Sequence, residues 1–304
     1  MMNKTNKTGI LLAILAAALY AINSPFSKLL LESVPPTLMA GLLYVGAGLG
    51  MCVIALIRKL KNKDGQKKEG RLSYKELPYT LAMIMLDVAA PIFLLIGLGT
   101  TTAANASLLN NFEIVATALV ALVAFKEKIS GRLWGGILFV TLSCAVLSFE
   151  DVTSLRFSIG SLFILLSCVC WGFENNCTRK ISSKDPLQIV LLKGIFSGGT
   201  SVVIGMCIGE RAKDLLAVLA VLALGFVAYG LSIFFYVYAQ RLLGAARTSA
   251  YYAVAPFIGS LLSLFIFGTL PPYTYFLAFL LMILGAVLSL DDSPLFKRRK
   301  GKYK

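Results

Sequence analysis

The sequence contains no histidine, and only 14% of its 304 residues are charged. Without imidazole there are no histidine general bases, no Ser-His-Asp triad and almost no imidazole metal sites. So little charge excludes a water-soluble globule, because an average soluble domain carries roughly 25% charged residues. A Walker lysine pattern is also missing, so nothing supports ATP as a driving force. Gly46-Ala47-Gly48-Leu49-Gly50 resembles a nucleotide loop only superficially: it lies inside an apolar run with no strand before it, and it reads as a close helix-packing surface. The six cysteines, Cys52, Cys144, Cys168, Cys170, Cys177 and Cys207, all fall in apolar stretches. Cys168 and Cys170, two apart, point to different sides of a helix, so these read as buried free thiols rather than a metal site. No cofactor and no metal are expected.

What the chain has in abundance is apolar length. Hydrophobic residues make up 58% of it, and the mean hydropathy is +0.80. A helix needs about 20 mostly apolar residues to cross the hydrocarbon layer. Ten such stretches are predicted, at 9–31, 36–57, 77–98, 101–124, 132–149, 158–179, 187–208, 214–238, 244–268 and 272–290. Turn signals separate them, among them Pro35-Pro36, Gly99, Asp185-Pro186, Gly244 and Pro271-Pro272. The segment 58–76 is a hydrophilic loop, and the tail from Asp291 is polar. The first stretch is too long for a signal-peptide core and no small-residue cleavage site follows it, so it counts as a span. Continuous apolar runs, rather than alternating ones, exclude an outer-membrane barrel. The fold class is therefore an all-α integral membrane protein of ten helices.

The formal charge is +14, from 29 Lys and Arg against 15 Asp and Glu. With the N-terminus inside, the inner segments collect 24 of the basic residues. The outer loops keep Arg156, Arg211 and Lys213, and Lys28 and Lys193 lie within spans. This asymmetry sets topology and meets anionic lipid; it is not a nucleic-acid surface. It predicts a multi-pass protein of the cell (plasma or inner) membrane with both termini in the cytoplasm.

Self-comparison shows an internal repeat. A shift of 151 residues places Gly9, Tyr20, Lys28 and Pro35 on Gly160, Trp171, Arg179 and Pro186. Near the ends of the halves, Ala145-Val146-Leu147-Ser148 matches Ala286-Val287-Leu288-Ser289, and the acidic pairs Glu150-Asp151 and Asp291-Asp292 follow. The chain divides into 1–152, 153–290 and a basic tail, 291–304. Five spans per half is odd, so the second half crosses in the opposite sense. Inverted repeats of this kind are a transporter architecture with substrate bound near the midplane between the halves.

Each half opens with a glycine, then an aromatic in mid-span and a basic residue at the span's end. The fourth span of each half starts with small residues, Thr100-Thr101-Thr102-Ala103-Ala104 and Gly244-Ala245-Ala246-Arg247-Thr248-Ser249-Ala250. Pro256 stands in mid-span, and Glu127 follows the first-half span in Phe125-Lys126-Glu127-Lys128-Ile129-Ser130. In these features, and over almost its whole length, the chain resembles the EamA-type family of the drug/metabolite transporter superfamily. Two departures stand out: Glu113 lies near the proline position of the first half, and the second half reads Gly268-Thr269-Leu270-Pro271 where an acid is usual. The resemblance implies a proton-linked or facilitative carrier of small metabolites, often an exporter of amino acids or related compounds.

Ionisable groups inside spans are costly, by ~2.5–3.5 kcal/mol each on insertion scales, and so mark sites. Asp87, Glu113, Glu174 and Lys193 are in that position. Lys193 is about two turns from the inner edge, within snorkelling reach. Helical spacing places Thr102, Ala106, Asn110, Glu113 and Thr117 on one face, where Asn110 could orient the Glu113 carboxylate. Ser167, Cys170, Trp171, Glu174 and Thr178 share another face, with Asn175 and Asn176 broadening the polar belt. Glu174 corresponds in the repeat to Asn23 of Asn23-Ser24-Pro25, where the proline opens the backbone ladder. Tyr229, Ser232, Tyr236 and Gln240 form a stripe, and Tyr251 and Tyr252 add to it. The functional reading is a cavity of carboxylates and aromatic walls for a cationic or zwitterionic solute. A carboxyl group withdrawn from water can take up a proton and exchange it for the substrate ammonium. The structural alternative is that Glu174 or Asp87 pairs with Lys193 and locks helices together, with the tyrosines as packing.

The expected function is secondary transport, by alternating access, of an amino acid or organic amine, exported against protons. The partners are that small molecule, protons and membrane lipids, and the protein is a monomer or homodimer. The alternatives are a flippase for a lipid-linked head group and, from another class, a lipid-modifying membrane enzyme. Such enzymes cluster acids or His/Asp pairs near a membrane face; the adjacent acid pairs here lie after the fifth span and in the tail.

Overall fold

The computed structural model describes residues 4–61, 70, 72–126, 130–151, 156–182, 184–243, 248, 251–269 and 271–289. Most of the hydrophilic loop, Glu127, most of the small-residue run 244–250 and the tail 291–304 lie outside the described residues. Among the described residues the helical segments group into ten stretches. They are α1 (Lys4–Ala21, then Asn23–Leu30), α2 (Pro36–Lys61), α3 (Leu77–Thr100), α4 (Ala103–Leu109, then Phe112–Phe125) and α5 (Gly131–Ser148) in the first half. The second half has α6 (Ile159–Ile181), α7 (Pro186–Leu192, a π-turn Lys193–Gly198, Gly199–Cys207), α8 (Leu215–Gly225, a π-turn Phe226–Leu231, Ser232–Leu243), α9 (Ala255–Phe267) and α10 (Tyr273–Ser289). Between the halves a two-stranded antiparallel ribbon pairs β1 (Phe149–Asp151) with β2 (Arg156–Phe157).

Helix starts follow local chemistry. Thr102, Ser130, Ser158, Asp185 and Asp214 each accept a backbone N–H of the first turn of α4, α5, α6, α7 and α8, satisfying a donor the helix leaves open. For α2, which starts on proline, the cap comes from afar: Glu210 accepts from the Leu38 N–H at 2.6 Å and the Thr37 N–H at 3.3 Å.

Among the described residues, seven stretches are long and apolar enough to cross a bilayer: α1 to α5, α7 and α8. The ten predicted spans are not matched in full by that measure. The short apolar helices α9 and α10 have 13 and 17 residues, and α6 carries Glu174, Asn175 and Asn176, which lower its mean hydropathy. Large apolar side chains such as Met85, Val123, Leu215 and Phe265 face outward, while 24 polar or charged residues are buried. This polarity is that of a protein whose surroundings are lipid.

The packing repeats under exchange of each helix with the one five places on. Helix α3 lies on α6 and α8 on α1; α4 lies on α6 and α9 on α1. The pairs α2–α7, α4–α9 and α5–α10 map onto themselves. Where apolar surface gains nothing from leaving lipid, such contacts rest on close backbone approach. Helix α2 is the extreme case. A methyl group on Gly46 would lie 2.1 Å from the Leu222 carbonyl oxygen, one on Gly225 2.0 Å from the Leu43 oxygen, and one on Gly194 2.3 Å from Gly48 Cα. Glycine at these positions lets α7 and α8 clasp α2 and bring Tyr44 to the centre.

Candidate functional site

At the pocket's level the helices that surround it depart from regular geometry. Pro25, Pro91 and Pro256 lack an N–H, so the carbonyls of Ala21, Asp87 and Tyr252, four residues back, lose their helical donor. Helix α4 breaks at Asn110-Asn111, and α7 and α8 each contain a π-turn, at Lys193 and Phe226. Such turns occur often at functional sites.

The pocket, together with its open mouth, spans about 600 Å³ of space free of protein atoms. Its charged floor comes from three helices. The buried Lys193 ammonium lies 2.6 Å from Glu174 Oε1 and 2.9 Å from Asp87 Oδ2. It therefore does not snorkel to the membrane face but joins α7 to α6 and α3. Tyr44 of α2 donates to Asp87 Oδ1 at 2.7 Å, and Thr178 donates to Glu174. The helix-locking pair and the pocket lining are thus the same residues.

Glu113 stands apart from this cluster. Asn175 Nδ2 donates to its Oε1 at 2.6 Å and lies 3.4 Å from Thr117 Oγ1, and no cation pairs with Glu113 among the described residues. Helix α6 comes close enough for this because Gly172 faces Ala116 and Thr117, where a methyl would sit 2.9 Å from the Thr117 nitrogen. Asn176 secures the same crossing by donating to the Thr117 carbonyl at 3.1 Å. With all four groups ionised, three carboxylates against one ammonium leave the pocket at −2.

The walls are aromatic. Tyr20 lies edge-on or tilted to Trp171, Tyr229 and Tyr252, with ring centroids 6.4, 6.0 and 5.8 Å away. Tyr44 meets Tyr229 at 5.0 Å, and Tyr236 meets Tyr252 at 4.8 Å. The Tyr20 hydroxyl is buried and finds no hydrogen-bond partner among the described residues.

The structure brings Asp87, Glu113, Trp171, Glu174, Asn175, Lys193, Tyr229 and Tyr236 to one pocket. Asn23 lies behind it, donating to the Tyr229 hydroxyl at 3.4 Å and accepting from Ser27 at 3.1 Å. Asn110 and Tyr251 are not in the lining; Asn175 rather than Asn110 reaches Glu113, and Tyr252 rather than its neighbour faces inward. Sequence reasoning missed Tyr44 altogether. Its signal was a hydroxyl-bearing ring in an otherwise apolar span, two residues before the glycine run that admits close neighbours. Among the described residues no three His, Cys, Asp or Glu side chains are grouped to hold a metal, and the cysteines are free.

This two-repeat architecture agrees with comparison to known proteins. A model of the EamA-like transporter family matches residues 7–149 and again 158–290. The chain belongs to the EamA-like transporter family. The matches meet at the ribbon, so each half of this EamA-like protein is one copy of the family's repeat. A relative from Methanothermobacter thermautotrophicus, described as an uncharacterized transporter, is 29% identical over 140 residues, which span 44% of this chain and 41% of the relative. One solved crystal structure, described only as that of a protein, superposes with a TM-score of 0.66 over 97% of this chain and 99% of its own, at 16% identity. That likeness shows the fold alone.

Proposed function

We propose that this EamA-like protein is a secondary carrier that moves a small cationic or zwitterionic metabolite, an amino acid or organic amine, in exchange for protons. The observation that carries the reading is the excess of carboxylates over cations: Lys193 is shared by Asp87 and Glu174, and among the described residues Glu113 has an amide partner but no charge partner. A substrate ammonium beside Glu113 supplies a missing positive charge, and Tyr20, Tyr236 and Tyr252 offer ring faces for cation–π contact. A proton on the carboxyl group supplies the same charge, so ammonium and proton compete for one site. With no histidine in the chain, that exchange runs through carboxylates. Rocking of the halves about the α2 clasp exposes the pocket to each side in turn, and the basic inner loops support an orientation with both termini in the cytoplasm.

Transport of amines and amino acids into proteoliposomes across a pH gradient tests this. Glu113→Gln is expected to weaken substrate binding by roughly tenfold or more, as loss of a charge partner does, and to flatten the pH dependence. Full activity with an unchanged pH profile in both Glu113→Gln and Glu174→Gln overturns the proton exchange. Stabilisation by lipid-linked sugars and by none of the amines would replace the carrier with a flippase.

A further inference from the structure

The pocket holds charges of both signs in unequal number. Among the described residues that line it, Asp87, Glu113 and Glu174 are acids and Lys193 is the one base. Hydrogen-bond donors at the pocket are spent on the acids: Tyr44 donates to Asp87, Thr178 to Glu174 and Asn175 to Glu113. Lys193, only 3% exposed, lies 2.9 Å from Asp87 Oδ2 and 2.6 Å from Glu174 Oε1. An ammonium has three N–H donors, so one is left over. A substrate carboxylate placed on it would adjoin both of those carboxylates, and like charges in contact repel strongly in a site of low dielectric. The Tyr20 hydroxyl, buried and without a hydrogen-bond partner among the described residues, suits a neutral oxygen but brings no charge to offset a carboxylate. The carbonyls of Asp87 and Tyr252, whose helical donors are lost to Pro91 and Pro256, add acceptors rather than donors to residues of the lining.

We infer that the substrate is an organic amine without a carboxylate, and that the amino acid bearing the same side chain is rejected. This rests on the carrier reading and narrows it. The reason is the charge exchanged at Glu113. An ammonium that displaces a proton there leaves the net charge of the pocket as it was. A zwitterion brings a negative charge with its positive one, so the same displacement leaves the pocket one unit more negative. Three carboxylates already face one ammonium in it, and burying a further uncompensated charge is costly. The rings of Tyr20, Tyr236 and Tyr252 favour the same choice, because the negative face of an aromatic ring attracts a cation and repels an anion.

Ligands that share one side chain separate charge from size: phenethylamine, phenylalaninol, which has a neutral hydroxymethyl group where the acid stands, and phenylalanine. Leucine with its amine and its alcohol forms a second, aliphatic series. Thermal midpoints of the purified full-length protein rank the affinities, since a ligand of the folded state raises the midpoint further the tighter it binds. The amine and the alcohol are expected to bind roughly tenfold or more tightly than the amino acid. In Glu174→Gln, which removes one negative charge beside Lys193, that ratio should shrink. An amino acid that binds as tightly as its amine overturns the inference and leaves the carrier reading standing. Rejection of the alcohol together with the acid also overturns it, because size and not charge then discriminates. A ratio unchanged in Glu174→Gln removes its electrostatic cause. If no member of either series shifts the midpoint, the carrier reading falls and the inference with it.

Discussion

At the scale of single residues, Lys193 decides whether the centre of the molecule is tolerable. Its ammonium touches two buried carboxylates, Asp87 and Glu174, that belong to different helices. Taking one partner out of a buried ionic group costs about 3–5 kcal/mol, because the remaining charges stay in place without compensation. Lys193→Met is therefore expected to lower the thermal unfolding midpoint sharply in detergent. Adding Asp87→Asn and Glu174→Gln to it should recover most of the loss; no recovery would show that Lys193 matters through packing rather than charge. The intramembrane charges themselves were visible in the sequence as residues out of place in apolar spans. Their partners were not. Asn110 stands at the right helical spacing from Glu113, yet Asn175 from another helix makes the bond, since spacing along one helix carries no information about what the next helix presents.

At the scale of helices, irregularity is concentrated around the pocket. Pro25 and Pro91 open the hydrogen-bond ladders of α1 and α3, Pro256 stands in the first turn of α9, a paired asparagine breaks α4, and π-turns wind α7 and α8. The prolines could be read directly, and Pro25 and Pro256 were; the π-turns have no proline and arise where α7 and α8 press on α2. That contact makes a sharp prediction. Gly225→Ala would drive a methyl group to 2.0 Å from the Leu43 carbonyl oxygen, a backbone atom that cannot turn aside. It is expected to cost about 1–3 kcal/mol or to prevent folding. Gly199→Ala, with nothing within 4 Å of the added carbon, should be neutral or slightly stabilising. Thermal midpoints of the two variants, measured side by side, check the difference; equal midpoints would mean α2 is not clasped as described.

At the scale of the whole molecule, the helix pairs of one half recur in the other, and the skewed basic loops predict an orientation. Reporter fusions check the latter. A fluorescent protein fused after Lys304 should fold and fluoresce in the cytoplasm, and alkaline phosphatase inserted in the loop near Arg211 should be active outside. The reverse pattern would invert the topology and with it the expected direction of transport.

The apolar runs, the internal repeat and the skewed distribution of lysine and arginine were legible without coordinates, because membrane insertion reads local properties: length, hydropathy and flanking charge. The absence of histidine likewise fixed in advance that proton exchange, if it occurs, uses carboxylates. What the tertiary structure decided was association. It brought Lys193 between Asp87 and Glu174, set Tyr44 on Asp87, and left Glu113 to an amide. In lipid, apolar surface does not select a partner helix, so these neighbours follow from glycine-sized gaps and from the need of buried polar groups for partners. Both are properties of pairs of helices and become defined only when the halves close on each other.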